Sequence, residues 1–127
     1  MAKTKGFTII ELLVVVVIIG LLASIAIPKF SATKDKSKMA SVRSDLRNVM
    51  TAQEAYFADF NAFGDLSQLQ AASNFLLSPG NTGLVVTGAS GYTATIENQS
   101  ILTGLTQCTV EYGNGSTVGV DGVMICS

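Results

Sequence analysis

From Phe7 to Ile27 the chain reads FTIIELLVVVVIIGLLASIAI, a run of 21 residues in which Glu11 is the single charge. A run with no polar face belongs in lipid or among other apolar helices. As a helix rising 1.5 Å per residue it spans about 30 Å, the thickness of a bilayer core. After Pro28 the pattern becomes periodic. Met39, Val42, Leu46, Val49, Tyr56, Phe60 and Phe63 recur at steps of three, four or seven, and Gln53 fills the vacant position. This spacing predicts one apolar stripe on an amphipathic helix, packed on a sheet of the same chain. Gly64 is the expected stop. Residues 7 to about 62 therefore read as one continuous helix, apolar in its first half and amphipathic in its second.

From residue 64 the helical period ends and turn residues take over. Gly80-Asn81, Gly88-Ala89-Ser90-Gly91 and Gly113-Asn114-Gly115-Ser116 punctuate short β-rich runs. Those runs are Leu84 to Thr87, Tyr92 to Ile96, Cys108 to Tyr112 and Val118 to Cys126. Several alternate apolar and polar positions, as expected of an antiparallel sheet with one buried face. The expected fold class is α+β, a long N-terminal helix covering a small C-terminal antiparallel sheet.

Charge sharpens this division. All eight Lys and Arg lie at or before Arg47, against Glu11, Asp35 and Asp45; beyond Arg47 there are six acids and no base. The acidic distal part is a poor ligand for nucleic acid, which needs clustered positive charge. Lys29, Lys34, Lys36, Lys38, Arg43 and Arg47 are interrupted by Asp35 and Asp45 and have no interleaved aromatics. They read as a solvated helix face or as ammonium groups at lipid headgroups. Their charge is complementary to the acidic distal part of another copy of the chain. Asn98-Gln99-Ser100 and Asn114-Gly115-Ser116 match the glycosylation pattern but read as turn chemistry. The tyrosines and phenylalanines read as core.

Three readings fit the N-terminal segment on physical grounds: a conventional signal peptide, a plain anchor, or a specialised leader. Lys3 and Lys5 before the apolar run suit any of them, and the positive-inside rule places them in the cytoplasm. Ser24-Ile25-Ala26 resembles a signal-peptidase site. The run, however, exceeds the usual h-region and holds Glu11, an acid that is costly in lipid and marks function.

The residues Gly6-Phe7-Thr8-Ile9-Ile10-Glu11, after a short basic leader and before an unbroken apolar helix, resemble the type III signal sequence of type IV pilins. The resemblance covers about the first 30 residues, and the remainder is similar in layout more than in sequence. It implies a leader over residues 1–6, cleavage between Gly6 and Phe7 by a prepilin peptidase, and N-methylation of Phe7. It also implies assembly roles for Thr8, Glu11, Gly20 and Pro28. Glu11 of a neighbouring subunit would neutralise the new Phe7 amine inside the apolar filament core, since two opposite charges are tolerable there where each alone is not. Pro28 removes a helical hydrogen bond to Ser24 and Gly20 loosens the helix further. That pair reads either as a tolerated kink or, on the resemblance, as bounds of a stretch that melts on entering the filament.

The implied organisation is a leader (1–6), a transmembrane and filament-core helix (7–28), an amphipathic helix (29–63) and a globular β-domain (64–127). Cys108 and Cys126, in an exported chain without His, read as a disulfide before a metal site; the resemblance implies the pair, with its loop on the filament surface. No His, nucleophile–base pair or phosphate loop marks an enzyme, and no cofactor is expected.

The implied function is a pilus subunit for adhesion, twitching motility or DNA uptake. It would be held in the inner membrane as a single-pass precursor with a cytoplasmic N-terminus and then assembled outside the cell. Implied partners are identical subunits, membrane lipid, the peptidase and an inner-membrane platform with cytoplasmic ATPases. A type II secretion pseudopilin and a membrane-anchored ligand-binding module are the rivals.

Overall fold

The computed structural model describes residues 6–113 and 121–127. Lys3, Lys5, the Asn114-Gly115-Ser116 pattern and the start of the run from Val118 lie outside the described residues. The chain divides after Lys34 into two units. The helix α1 (Ile9–Phe60) supplies the first unit and opens the second, and it is helical without interruption through Gly20 and Pro28.

In the first unit nearly every side chain is exposed, including the apolar ones from Phe7 to Ile27. By length and composition this stretch can cross a membrane.

In the second unit the stripe divides along its length. Met39, Val42, Leu46 and Val49 are buried and share one core with Ala94, Ile96, Cys108 and Val110 of the sheet. Each such buried Val or Leu contributes about 1.5–3 kcal/mol through loss of water contact. Tyr56 and Phe63 pack at the edge of this core. Phe60, expected in the stripe, is instead 59% exposed. It lies over Tyr56, with ring centroids 4.5 Å apart. Gly64 is not the helix stop either. The chain leaves α1 at Asn61, whose φ of 52° is left-handed and whose amide donates to the Phe57 carbonyl at 2.8 Å. Asn tolerates that conformation because its short polar side chain bonds locally.

Gln53 explains where Gly64 goes. Its amide nitrogen donates to the Gly64 carbonyl at 2.7 Å, and its oxygen accepts from the Gly64 amide at 3.0 Å. The vacancy in the stripe is thus a buried polar clamp on the chain after the helix.

A second helix follows where no helix was expected. Helix α2 (Leu66–Ser73) starts at Asp65, with Gln68 completing a capping box, and ends at Asn74 in the left-handed region. The Asp65-Leu66-Ser67-Gln68 spacing carries this signal, since an acid followed three residues later by Gln satisfies two orphan donors.

The four strands are β1 (Thr82–Thr87), β2 (Tyr92–Glu97), β3 (Gln107–Tyr112) and β4 (Ile125–Cys126). They form one antiparallel sheet in the order β1-β2-β3-β4. Tyr92, Ala94 and Ile96 of β2 alternate inward, opposite Tyr112, Val110 and Cys108 of β3. The fold is α+β.

Candidate processing and assembly site

The sequence-predicted residues at the N-terminal end fall into one local arrangement. Thr8 stands one residue before α1. Its hydroxyl accepts from the Glu11 amide at 3.3 Å, while a Glu11 carboxylate oxygen accepts from the Thr8 amide at 2.8 Å and the Thr8 hydroxyl at 2.6 Å. This reciprocal arrangement is a capping box, which satisfies two donors that a helix start otherwise leaves orphaned. The acidic group also sits favourably at the positive end of the helix dipole. Sequence reasoning took Glu11 as a charge awaiting a partner and missed that Thr8, three residues earlier, supplies one. Phe7 lies one helical turn before Glu11 and is 88% exposed, and Gly6 is exposed beside it. Gly20 has nothing near the position of a Cβ, so no packing within this chain requires a glycine there.

At the other end of the protein the disulfide joins Cys108 to Cys126. The two face each other across β3 and β4. Gln107 and Ser127 next to them exchange both backbone hydrogen bonds, at 3.1 and 3.0 Å. The cysteines therefore occupy the adjacent non-hydrogen-bonded position, where side chains approach most closely.

Two acids read as interruptions of the basic cluster are buried anchors. Asp45 accepts from the Ser78 amide at 2.7 Å, the Ser78 hydroxyl at 2.9 Å and the Asn81 side chain at 2.7 Å. Asn81 in turn accepts from Asn98 at 2.7 Å, and Asn98 accepts from the Ser100 amide at 3.0 Å. Asn98 is thereby a buried turn residue, in keeping with the turn reading of its glycosylation pattern. Asp35 accepts from the Thr103 amide at 3.1 Å and hydroxyl at 2.8 Å. The Thr103 hydroxyl is the main reason that the Asp35 carboxyl is held below its ordinary pKa. Lys38 is not a free surface charge. It lies 3.6 Å from Asp35 and donates to the Ser100 carbonyl.

Phe57, Phe63, Tyr92 and Tyr112 form a ring cluster with successive centroids 4.8 to 6.0 Å apart. Burial, followed by the nearby Glu54 charge, pushes the Tyr92 hydroxyl up to about 12. Among the described residues no group of three His, Cys, Asp or Glu is placed to hold a metal.

Comparison with known proteins places this geometry. A family model described as the prokaryotic N-terminal methylation motif matches residues 1–27. The type IV wide pilus major component PilA4 of Thermus thermophilus is 31% identical over 90 residues, covering 71% of this chain and 69% of that protein. The chain belongs to the type IV pilin family. The type IV major pilin protein PilA of Myxococcus xanthus is 40% identical over 65 residues, 51% of this chain and 30% of that pilin. The type II secretion system core protein G of Pseudomonas aeruginosa is 35% identical over 66 residues, 52% of this chain and 46% of the relative. The chain thus spans less than half the length of these last two. The relatives are named for parts of pili and of a secretion machine, not for catalysis.

Proposed function

We propose that the chain is a structural subunit of a type IV pilus. It is made as a membrane-anchored precursor and polymerises through its N-terminal helix into an extracellular filament serving adhesion, twitching motility or DNA uptake. The observation that carries this reading is the pairing of a methylation-motif match over residues 1–27 with an apolar helix that finds no burial in its own chain. So much apolar surface must be covered by lipid or by other copies. Prepilin peptidase cuts between Gly6 and Phe7 and Phe7 is methylated, giving a leader of residues 1–6 and a mature helix. Residues 7–28 serve first as the transmembrane span and then in the filament core, residues 29–63 carry the amphipathic helix, and 64–127 form the outer domain.

The basic leader stays on the cytoplasmic side. In the precursor Glu11 is held by Thr8; on assembly it faces the methylated Phe7 amine of an adjacent subunit, and the stretch from Gly20 to Pro28 extends. The partners are identical subunits, membrane lipid, the peptidase and an inner-membrane platform with cytoplasmic ATPases.

The test is the intact mass and N-terminal peptide of protein in a sheared surface-filament fraction. The expected species starts at Phe7 and carries one added methyl group. A chain that starts at Met1 and stays in the membrane fraction would overturn the proposal. The likeness to core protein G favours one alternative, a pseudopilin of a type II secretion system. That reading predicts the same mature N-terminus without surface filaments at native expression, and loss of secretion when the chain is deleted.

A further inference from the structure

Within the second unit the ring cluster also forms the wall of a cavity. The cavity has a volume of about 630 Å³ and is lined by Phe57, Phe63, Tyr92 and Tyr112 together with Glu54. Phe57 and Tyr112 are 41% and 47% exposed, so the ring wall is open to an incoming side chain. Glu54, three residues before Phe57 on α1, is exposed as well. After burial, the Glu54 charge is the largest cause that raises the Tyr92 hydroxyl, and Asp121 adds to it. Among the described residues that line the cavity, none is basic. A ring wall beside an uncompensated carboxylate suits a cation, which is attracted by the ring faces and by the acid together.

A cation of the right shape stands beside it. A guanidinium is flat, so it stacks on a ring while its fork of donors meets a carboxylate, which a compact ammonium does less well. The sequence holds two arginines, Arg43 and Arg47. Both are exposed on α1, one turn apart, and among the described residues neither side chain has an ion pair or a hydrogen bond. They line a second cavity of about 580 Å³, which shares Met50 and Gly122 with the ring-lined one. Projecting cations and acidic cavity thus lie side by side on one face of the same unit. Glu54 comes seven residues after Arg47 and eleven after Arg43, about 10 and 16 Å along a helix, and no bond joins them within the copy.

We infer that the ring-lined cavity receives a guanidinium of a second copy: Arg43 or Arg47 of one chain stacks on Phe57 and Tyr112 of another and pairs with its Glu54. This rests on the proposed polymer and names one contact of its folded units. Copies held in one membrane in one orientation keep this segment of α1 parallel. Arginine and cavity then meet when neighbouring copies are displaced along it by about 10–16 Å. Such a contact is heterologous. Each copy at an end leaves either a cavity or an arginine pair unfilled, so growth continues instead of closing into a dimer.

The test uses the full chain expressed with its assembly machinery, reading the yield of sheared filaments and the thermal melting of each variant. Glu54→Arg is expected to lower the yield at least fivefold. Arg43→Lys combined with Arg47→Lys is expected to lower it at least threefold, because lysine keeps the charge and loses the flat fork. Melting should match the parent in both, since all three side chains are exposed. A photoreactive benzoylphenylalanine in place of Phe57 should give, on irradiation of filaments, a species of twice the subunit mass joined to the peptide that holds residues 43–47. A lysine pair that assembles like the parent overturns the guanidinium site. Crosslinks to any other segment overturn the pairing even where a variant has lost yield by unfolding. Parent filaments that tolerate every substitution remove this contact and leave the polymer standing. A parent chain that forms no filaments removes the polymer reading and the contact with it.

Discussion

Asp45 is the residue on which the distal loops most depend, because its three donors come from two positions, Ser78 and Asn81, on the segment leading into β1. Asp45→Ala would leave the Ser78 amide and the Asn81 side chain without that acceptor in a buried place. An unsatisfied buried donor costs about 1–3 kcal/mol, and more where the lost partner is charged. Thermal melting of the full chain in detergent should show Asp45→Ala destabilised by about 2–4 kcal/mol, while Asp59→Ala, at an exposed position, stays within about 0.5 kcal/mol. Equal melting of the two variants would mean that water replaces the network at no cost. Asp35 makes a different prediction, in pH. The Thr103 hydroxyl, ahead of the Thr103 amide and the Lys38 charge, holds its carboxyl below the ordinary aspartate value. A depressed acid stabilises fully above its unfolded pKa and loses that contribution as pH falls through its folded value. Melting should therefore decline on acidification below about pH 4, and Asp35→Asn should flatten that decline. An acid limb of the same steepness in Asp35→Asn would assign the loss to other carboxylates.

At the scale of elements, β4 is only two residues long, too short to hold itself by backbone pairing. It depends on the Cys108–Cys126 bond and on the hydrogen bonds that Ser127 exchanges with Gln107. Replacing both cysteines by Ala should lower stability by about 3 kcal/mol in the chain-entropy account and speed hydrogen exchange at Ser127 before it does so at Ala94 or Val110. Uniform acceleration across the sheet would show that the bond acts on global stability alone. What was legible in the sequence follows from the same physics. The long helix was legible because two periodic signals of opposite kind, one unbroken and one striped, share a boundary at Pro28. The strands β1 to β3 are legible as short β-rich runs between turn residues, with alternation in β2 and β3. Helix α2 was not, because eight residues carry too little periodicity; its signal lies in the Asp65–Gln68 capping box. The same grammar was overlooked at Thr8 and Glu11. The buried roles of Asp35, Asp45 and Gln53 are not legible, since a sequence does not show that distant loops will bring them hydrogen-bond donors and acceptors.

For the whole molecule the governing feature is the separation of charge, with every Lys and Arg at or before Arg47 and only acids beyond. Within the chain the Lys38–Asp35 pair joins neighbours on a single helix, and Glu111 is set aside because it has an interaction of its own. Charges left unused inside a subunit are available between subunits, where opposite potentials guide association and fix register. Lys38 has to be set apart from this argument, since it holds Ser100 and Asp35. Lys34 and Lys36 are exposed, Lys34 lying 5.1 Å over the Phe30 ring. Reversing these two to Glu should leave thermal melting unchanged but reduce the yield of sheared filaments severalfold. Because exposed charges more than about 8 Å apart are screened at physiological salt, the parent chain's yield should also fall as ionic strength rises during assembly. Lys38→Glu should behave differently, lowering the melting temperature by placing like charge beside Asp35. Filament yield indifferent to both Lys34→Glu and Lys36→Glu would mean that the apolar helices alone direct assembly. The acidic surface would then serve the solubility of the finished polymer, not its construction.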